Sequence, residues 1–306
     1  MLKIAWIFDI VDSTVSGGIK TIIDLINNTP FDHYLHCKDN IKGLEAYGHI
    51  KAKIVQGYQP IDNYDIAIAT YYKTAYVDLN AKHRAYFIQD VENHFFPMSF
   101  EHMQAQTSYK LSHTQITMGK QLQTLFNAPY FIDFCVDKNA YKKLHLETTN
   151  SVCFLHQPEK PWRCTEIGLQ GLQIFKKNNP DTNVYLYGSD HFLDKVDISK
   201  FINLGKLSVQ DCNALYNVCD VGMCFSLTNI SRIPFEMASS GLNVVDIKPN
   251  TFDTPKQMLN IAKFTPYEVA LTISRVMLLP RSNFDIHDIS VAYNQFTTII
   301  NTIAEV

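Results

Sequence analysis

An apolar run, a polar loop, a helical segment and a second apolar run follow one another within residues 221–247, and this order strongly constrains the fold. Residues 221–225 are apolar throughout and open into the polar residues 226–229. The next segment has helix-like composition, and Gly241 is placed to end that helix before the apolar residues 242–247. Two apolar strands joined through a helix predict a βαβ unit in a buried parallel sheet.

The same alternation of strands and helical segments recurs along the chain. The predicted strands are residues 3–10, 65–69, 85–88, 151–155 and 183–187, and the predicted helices are residues 19–26, 112–125, 166–177 and 285–306. A loop with two glycines, residues 11–18, joins the first strand to the first helix. This alternation predicts an α/β fold with mostly parallel, doubly wound sheets that are covered on both faces.

The length of the chain and one break in the pattern predict two domains. With 306 residues the chain is long enough for two domains of ordinary size, and residues 134–150 interrupt the rhythm with polar and charged side chains. The closing helix carries Ile286, Ile289, Ala292, Phe296, Ile299 and Ile303 near heptad spacing. From the spacing alone, this helix packs either on its own domain or back on the first one.

Composition excludes several classes of protein. Apolar residues make up 46% and charged residues 19%, which is typical of a globular protein, and the net charge of −3 argues against nucleic-acid binding. The 7 cysteines contain no Cys-x-x-Cys pair, and no apolar run approaches the roughly 18 residues of a membrane span. These features predict a cytoplasmic protein, with Lys138, Lys142 and Lys143 as candidate contacts with a membrane surface or an acceptor.

Residues 226–241 have the chemistry of a nucleotide-sugar site. Ligands of doubly wound sheets bind at the carboxyl ends of the strands. Thr228, Asn229 and Ser231 would lie there beside a helix N-terminus, where free N–H groups favour phosphate. Glu236 follows on the same helix, and a carboxylate at that position can accept hydrogen bonds from sugar hydroxyls. Burying an unpaired carboxylate is costly, so an inward Glu236 needs partners.

The motif Thr-Asn-x-Ser-x-x-Pro-x-Glu-Met-x-Ser-x-Gly at residues 228–241 resembles the donor site of GT-B glycosyltransferases of the retaining family 4, and within it the polysaccharide rhamnosyltransferase branch. The resemblance continues through FIQDVENHFFP at residues 87–97, HQPEKPWR at residues 156–163 and NLGKLS at residues 203–208. Most of the chain is therefore covered. Family 4 enzymes usually carry a glutamate where this chain has Thr228, and an arginine where it has Gln157.

The resemblance implies a GT-B fold with two Rossmann-like domains and an active site in the cleft between them. Residues 1–147 would be the acceptor-side domain, residues 148–284 the nucleotide-sugar-binding domain, and residues 285–306 a helix that crosses back to the first domain. The implied activity is retaining transfer of a deoxysugar such as rhamnose from its dTDP conjugate. The acceptor would be a growing bacterial surface glycan such as lipopolysaccharide, lipid-linked or free, at the inner face of the membrane.

Donor-binding residues follow from the same comparison. Arg163 would clamp the diphosphate, with Lys160 as the nearby alternative and Lys206 as a second cation, because a planar guanidinium binds phosphate in a bidentate manner. The nucleoside would lie near Tyr187, Gly188, Lys206 and Leu207, with the Tyr187 or Leu207 side chain packing on the base. Arg232 is a further candidate for the sugar or the phosphate.

Two groups of residues in the N-terminal half are candidates for acceptor and diphosphate contacts. Gly17 and Gly18 would let a ligand approach the backbone closely because they have no side chain. Gln89, Asp90 and Glu92 follow the strand at residues 85–88, and Asp90 could orient an acceptor hydroxyl or accept its proton.

Metal chemistry and a covalent intermediate are not expected. There is no Asp-x-Asp motif, Asp9 and Asp12 flank a turn, and no His/Cys cluster has zinc spacing. Cations and the helix N-terminus would stabilise the leaving diphosphate instead. Three alternatives remain open: a UDP- or GDP-sugar transferase, a catalytically silent GT-B module that binds a glycan or a partner, and a sugar-nucleotide epimerase.

Overall fold

The structure is a computed structural model that describes residues 1–10, 16–39, 41–191, 196–247, 254–255 and 258–306. Part of the predicted glycine loop, residues 11–15 with Asp12, lies outside the described residues. The described chain divides into two compact units. The first contains Met1–Phe134 and Ser290–Val306, and the second contains Cys135–Ile289.

Each unit is built on a parallel sheet. In chain order the strands of the first unit are β1 (Lys3–Ile10), β2 (Asp32–Asp39), β3 (Lys53–Gln56), β4 (Ile66–Ala69), β5 (His83–Ile88), β6 (Thr114–Met118) and β7 (Tyr130–Ile132). Those of the second unit are β8 (Ser151–Leu155), β9 (Asn183–Tyr187), β10 (Ile202–Asn203), β11 (Val221–Met223), β12 (Asn243–Asp246) and β13 (Leu259–Ile261). Among the described residues, all pairings between these strands are parallel, which confirms the predicted α/β architecture.

Helices connect the strands, as crossovers between parallel strands require. The described α-helices are α1 (Gly17–Asn28), α2 (Phe100–Ser108), α3 (Lys120–Phe126), α4 (Thr165–Asn178), α5 (Val209–Val218), α6 (Ile233–Ser239), α7 (Pro266–Val276) and α8 (Ile289–Ala304). None of them is long and apolar enough to cross a membrane.

The strand order places a topological switch point in each sheet. The first sheet has the order β3-β2-β1-β4-β5-β6-β7, and the second has the order β10-β9-β8-β11-β12-β13. In the second sheet the chain leaves β8 toward β9 on one side and later returns to β11 on the other side. The loops after β8 and β11 therefore diverge at the carboxyl edge, where ligands of such sheets bind.

In the second unit, two glycines let helix α4 pack closely against β8 and α7. Gly168 and Gly171 lie on the buried face of α4. A Cβ added at Gly168 would overlap the Phe154 ring of β8, and one at Gly171 would come within 2.5 Å of Val269 on α7. Glycine at these positions lets α4 approach both elements, so the start of α4 is held near the end of β8.

The closing helix α8 packs in the first unit, which decides between the two sequence alternatives. The Phe296 ring stacks on Trp6 of β1 with ring centroids 5.4 Å apart and an interplanar angle of 21°. Ala292, Ile299, Ile300 and Ile303 are buried on the same helix. The predicted return of the C-terminal helix to the first unit is confirmed.

Three predicted boundaries are corrected by the structure. Gly17 and Gly18 begin α1 and are not loop residues, because the Ser16 hydroxyl accepts a hydrogen bond from the Ile19 N–H and caps the helix there. Residues 112–125 are not one helical segment. They contain β6 and α3, separated by Gly119, whose φ of 85° suits a glycine. The closing helix begins at Ile289, since residue 288 still bridges to Val136, and the predicted helix residue Ile286 therefore lies before it.

Candidate functional site

Two loops meet at the switch point of the second sheet. The loop after β8 ends in a 3-10 turn, Pro161–Arg163, directly before α4. The loop after β11, residues 224–232, leads into α6. The Leu227 N–H donates a hydrogen bond of 3.0 Å to the Trp162 carbonyl, so the two loops are joined through their backbones. The sequence motifs predicted to form the donor site are thus neighbours in this unit.

Arg163 makes a second connection between these loops. Its Nη1 donates to the Phe225 carbonyl at 3.4 Å, and its Nη2 donates to the Ser231 hydroxyl at 3.3 Å. The Nε atom is buried and has no hydrogen-bond partner among the described residues. An unpartnered buried donor is costly, so the Nε–H is suited to an acceptor supplied by a ligand.

Lys160 adds a second cation beside Arg163. Its side chain is half-buried, and Nζ lies 3.5 Å from the Gln157 Oε1. Burial, and then the Arg163 charge, lower the pKa of Lys160. The two positive charges repel each other and create a local positive potential at the carboxyl edge of the sheet. An anion bound there would reduce this repulsion. Lys160 and Arg163, both predicted from sequence, are therefore brought together.

The loop after β11 is less open than its sequence suggested. Thr228 and Asn229 are 3% and 2% exposed, and the Ser226 hydroxyl donates to the Asn229 carbonyl. Ser231 is half-buried at the start of α6, where its hydroxyl accepts a hydrogen bond of 3.3 Å from the Ile233 N–H. The structure places Ser231 where phosphate binding was predicted and gives Thr228 and Asn229 buried positions in the loop. Their contact with a donor stays a prediction.

Glu236 lies on α6 with 11% of its side chain exposed. Its Oε1 is 3.8 Å from the Nε of Arg232, one helical turn earlier. The Tyr141 side chain lies near the same carboxylate, because burial and then the Glu236 charge raise the pKa of Tyr141 well above its ordinary value. The predicted need for partners at an inward Glu236 is therefore met, and Arg232 is oriented toward this carboxylate. Sequence reasoning missed Tyr141, because an aromatic residue in a polar segment without periodicity gives no signal of its contacts.

The predicted nucleoside region is assembled around two glycines. Gly188 has a φ of 107° and donates its N–H to the Gly205 carbonyl at 2.8 Å, which joins the end of β9 to the loop that carries Lys206 and Leu207. Lys206 is exposed and Leu207 is half-buried.

Tyr187 is a core residue in this structure. Its side chain is 2% exposed, and its hydroxyl lies 2.9 Å from the Tyr216 hydroxyl. Packing of the Tyr187 ring on a base, one of the two predicted alternatives, does not fit this burial. The other alternative, Leu207, stays a prediction.

In the first unit the structure brings Gly18 and Gln89 together. A Cβ added at Gly18 would lie 3.4 Å from the Gln89 Nε2, whereas one added at Gly17 would meet nothing within 4 Å. Asp90 is half-buried, and its Oδ1 accepts a hydrogen bond of 2.8 Å from the Val91 N–H. The roles of these residues toward an acceptor stay predictions.

Glu92 differs from its predicted neighbours because it is buried. Its carboxyl group accepts hydrogen bonds from the Tyr72 N–H at 2.6 Å and from the Tyr86 hydroxyl at 3.1 Å. Burial raises the pKa of Glu92 from 4.5 to about 8. The carboxyl group is therefore largely protonated at neutral pH. Glu92 is 4% exposed, so it forms hydrogen bonds within the first unit and leaves little surface for an acceptor.

The described residues contain no cluster of three or more His, Cys, Asp or Glu side chains arranged to hold a metal ion. The expectation that the reaction needs no metal stays a prediction.

Comparison with known families finds a match within the second unit. Residues 150–274 match the family model described as WsaF, C-terminal domain. The chain is also 28% identical over 204 residues to the O-antigen biosynthesis protein RfbC of Myxococcus xanthus. That match includes 59% of this chain and only 15% of the relative, so the chain spans a small part of the length of that protein.

Solved structures show the fold of the whole chain. Anabaena Alr3699/HepE in complex with UDP and glucose has a TM-score of 0.65 at 16% identity, and the match covers 98% of this chain and 97% of that one. Sucrose-phosphate synthase from Thermosynechococcus elongatus has a TM-score of 0.69 at 9% identity, with coverage of 100% and 97%. The chain has the GT-B fold, as its sequence predicted.

Proposed function

We propose that this chain is a glycosyltransferase that moves a sugar from a nucleotide-sugar donor to a growing surface glycan. The donor site lies at the carboxyl edge of the second sheet. Support comes from the match to the WsaF C-terminal domain and from the similarity to a protein of O-antigen biosynthesis. The related fold of a protein that binds UDP and glucose is consistent with a nucleotide-sugar donor.

The observation that carries this proposal is the position of Arg163. The guanidinium joins the two switch-point loops through Phe225 and Ser231, keeps a buried Nε–H without a partner among the described residues, and has Lys160 as its neighbour. A diphosphate would supply acceptors to this pair of cations. It would also gain stabilisation as charge develops on it during departure.

The finer features of the reaction belong to the same proposal. The donor is dTDP-rhamnose or another deoxysugar nucleotide, and transfer proceeds with retention and without metal. The bond between the anomeric carbon and the diphosphate oxygen breaks as the acceptor hydroxyl attacks the same face. The acceptor proton passes to the departing phosphate, so no nucleophilic side chain is needed. Asp90 orients the acceptor in this scheme.

Transfer of a radiolabelled sugar from dTDP-rhamnose, UDP-glucose or GDP-mannose to membranes that carry the surface glycan tests the proposal. Glycan labelling by one donor, with a product whose anomeric configuration equals that of the donor, is expected. Arg163→Lys should reduce kcat/KM by roughly 10- to 100-fold, because lysine keeps the charge and loses the bidentate geometry. Lys177→Gln, which removes a charge at the far end of α4, is the matched control and should keep full activity.

Other outcomes identify the alternatives. Labelling from UDP- or GDP-sugar alone would assign a different donor to the same fold. Release of an altered sugar without any acceptor would indicate an epimerase. Nucleotide binding without transfer or release would indicate a silent module, which the threonine at position 228 keeps open.

A further inference from the structure

Helix α7 has large apolar side chains on two opposite sides. On one side Val269, Ile273 and Val276 belong to the core of the second unit, where Val269 lies against Gly171 of α4. The other side carries a row of side chains that are 52–86% exposed: Phe264, Tyr267, Leu271 and Leu278. A single exposed apolar side chain is common, but a helix that is apolar on all sides is ordinarily buried. The exposed row, the α7 stripe, therefore has the character of an interface.

The α7 stripe extends along the whole helix. Tyr267 and Leu271 are four positions apart, and Leu278 follows seven positions later, so the three side chains lie on nearly the same side of the helix. Phe264 lies just before the first helical residue, and Leu278 follows the C-cap Met277, whose dihedral angles are still helical. A partner that covers the stripe would therefore contact both ends of α7.

The stripe is symmetric about Leu271. Tyr267 and Arg275 lie four positions before and after Leu271. Phe264 and Leu278 lie seven positions before and after it. When two copies of a helix pack antiparallel about a two-fold axis, each residue meets the mirrored position of the other copy. Leu271 would then meet its own copy, and Phe264 would meet Leu278. The Tyr267 ring would meet the Arg275 guanidinium, which is a favourable cation–π pair.

The charges beside the stripe have the same symmetry. Glu268 and Arg275 are seven positions apart, so they lie on the same flank of α7. A two-fold axis keeps this flank and reverses the helix direction, so Glu268 of each copy would face Arg275 of the other. Within one chain Glu268 lies 3.6 Å from the Nζ of Lys263, whose side chain is 81% exposed. A carboxylate can accept hydrogen bonds from both cations.

We propose that this chain forms a homodimer in which the α7 stripes of two copies pack antiparallel about a two-fold axis at Leu271. A second copy is the partner that this surface fits, because its apolar and charged positions are both complementary to their own mirror order. Apolar contact supplies most of the affinity, and the charge pairs fix the direction, since exposed ion pairs are weak. One helix of 11 residues makes a small interface. We therefore expect a Kd on the order of 10 µM. The inference does not depend on the proposed function.

Sedimentation velocity of the full chain at roughly 1–200 µM measures this Kd. The wild type should change from monomer to dimer within that range. Leu271→Glu should raise the Kd about 100-fold, because it removes two leucines from the interface and places two carboxylates together at the axis. Leu125→Glu is the matched control, since Leu125 is 57% exposed on α3 and receives the same change. Its Kd should equal that of the wild type.

A charge exchange tests the antiparallel direction. Glu268→Arg and Arg275→Glu each place like charges together twice across the interface, so each should raise the Kd roughly tenfold. The double variant with both changes restores opposite charges at both places and should dimerise like the wild type. In a parallel pair each residue would face its own copy, so the single variants would not weaken the dimer. Circular dichroism of each variant checks that it is folded.

Weaker dimers in Leu271→Glu and in both single charge variants, with recovery in the double variant, would support the inference. A wild type that stays monomeric throughout the range would overturn it. A dimer that Leu271→Glu leaves intact, or that Leu125→Glu weakens equally, would place the contact on another surface and also overturn it. Single charge variants that dimerise like the wild type, or a double variant without recovery, would overturn the antiparallel pairing.

Discussion

At the scale of single residues, Glu92 shows how a carboxyl group at a strand end can serve the fold. It was predicted beside Asp90 from sequence, and the two residues follow the same strand. Asp90 is half-buried, whereas Glu92 is 4% exposed and accepts hydrogen bonds from Tyr72 and Tyr86. Two carboxylates two positions apart therefore have different environments, and the sequence alone does not distinguish them.

Glu92 should make the stability of the protein depend on pH. The folded state holds the Glu92 proton up to about pH 8, whereas the unfolded chain loses it near the ordinary pKa of 4.5. Between these values the folded state binds more protons, so the free energy of unfolding should fall as pH rises from 4.5 toward 8. Urea unfolding of the wild type and of Glu92→Gln at pH 5, 6.5 and 8 measures this contribution, since the amide does not titrate.

The difference between the two proteins is the informative quantity, because other groups titrate equally in both. The free energy of unfolding of Glu92→Gln minus that of the wild type should increase by on the order of 2–4 kcal/mol as the pH rises from 5 to 8. Parallel pH profiles would show that Glu92 is already ionised in the folded state.

The residues of the donor region were predictable to different degrees. Arg163 and Ser231 lie in motifs whose chemistry could be recognised, and the structure joins them through a hydrogen bond. The burial of Thr228 and Asn229 could not be predicted, because small polar residues in a loop are usually exposed and their position here depends on how the loop packs. Tyr141 lies near Glu236 although 95 positions separate them in sequence, and no local pattern predicts such proximity.

At the scale of elements, the start of α1 has open space beside it. Ser16 caps this helix, and a Cβ added at Gly17 would meet nothing within 4 Å. Glycine in a helix costs about 0.5–1 kcal/mol relative to alanine. A glycine kept at a position where alanine fits is consistent with close approach of a ligand to the backbone.

Gly17→Ala should therefore raise the free energy of unfolding by about 0.5–1 kcal/mol and lower sugar transfer. Asn28→Ala, at the exposed C-terminal end of α1, is the matched control and should change helix stability without a loss of turnover. Urea unfolding and transfer assays on both variants measure the two quantities. Full turnover in Gly17→Ala would rule out a ligand at this backbone position.

Strong periodic or apolar segments were the elements that the sequence predicted well. β9 occupies the predicted residues 183–187, and α4 extends the predicted helix 166–177 by one residue at each end. Residues 112–125, which the sequence predicted as a segment of mixed helical character, were assigned wrongly because their few apolar side chains do not separate a short strand from a helix. The glycine at position 119, with its positive φ, supplies the break between β6 and α3.

At the scale of the whole molecule, the C-terminal helix completes the core of the first unit although it follows the second unit in sequence. Phe296 is fully buried and contacts Trp6 and Phe31, which belong to the N-terminal part of the chain. The heptad spacing predicted the buried face of α8, but it did not say which unit that face covers. The aromatic partners in the first unit decide this.

Phe296→Ala should destabilise the first unit by about 3–5 kcal/mol, because it leaves a cavity beside Trp6. Guanidinium unfolding followed by tryptophan fluorescence measures the change, since Trp6 and Trp162 are the two tryptophans of the chain and Trp6 lies in the affected core. Thr302→Ala, at an exposed position of the same helix, is the control and should be near neutral. A loss below 1 kcal/mol in Phe296→Ala would mean that α8 does not pack on Trp6.

A thermal-shift panel measures whether the second unit binds a nucleotide sugar through Arg163 and Glu236, as proposed. The melting temperature is measured with dTDP, UDP, GDP and their sugar conjugates, each with Mg²⁺ and with EDTA. A ligand that binds the native state raises it by mass action. We expect one nucleotide class to raise the melting temperature, equally in Mg²⁺ and EDTA, and to have no effect on Arg163→Lys and Glu236→Gln. If no nucleotide shifts the melting temperature, or if both variants shift as much as the wild type, the proposed binding site is wrong.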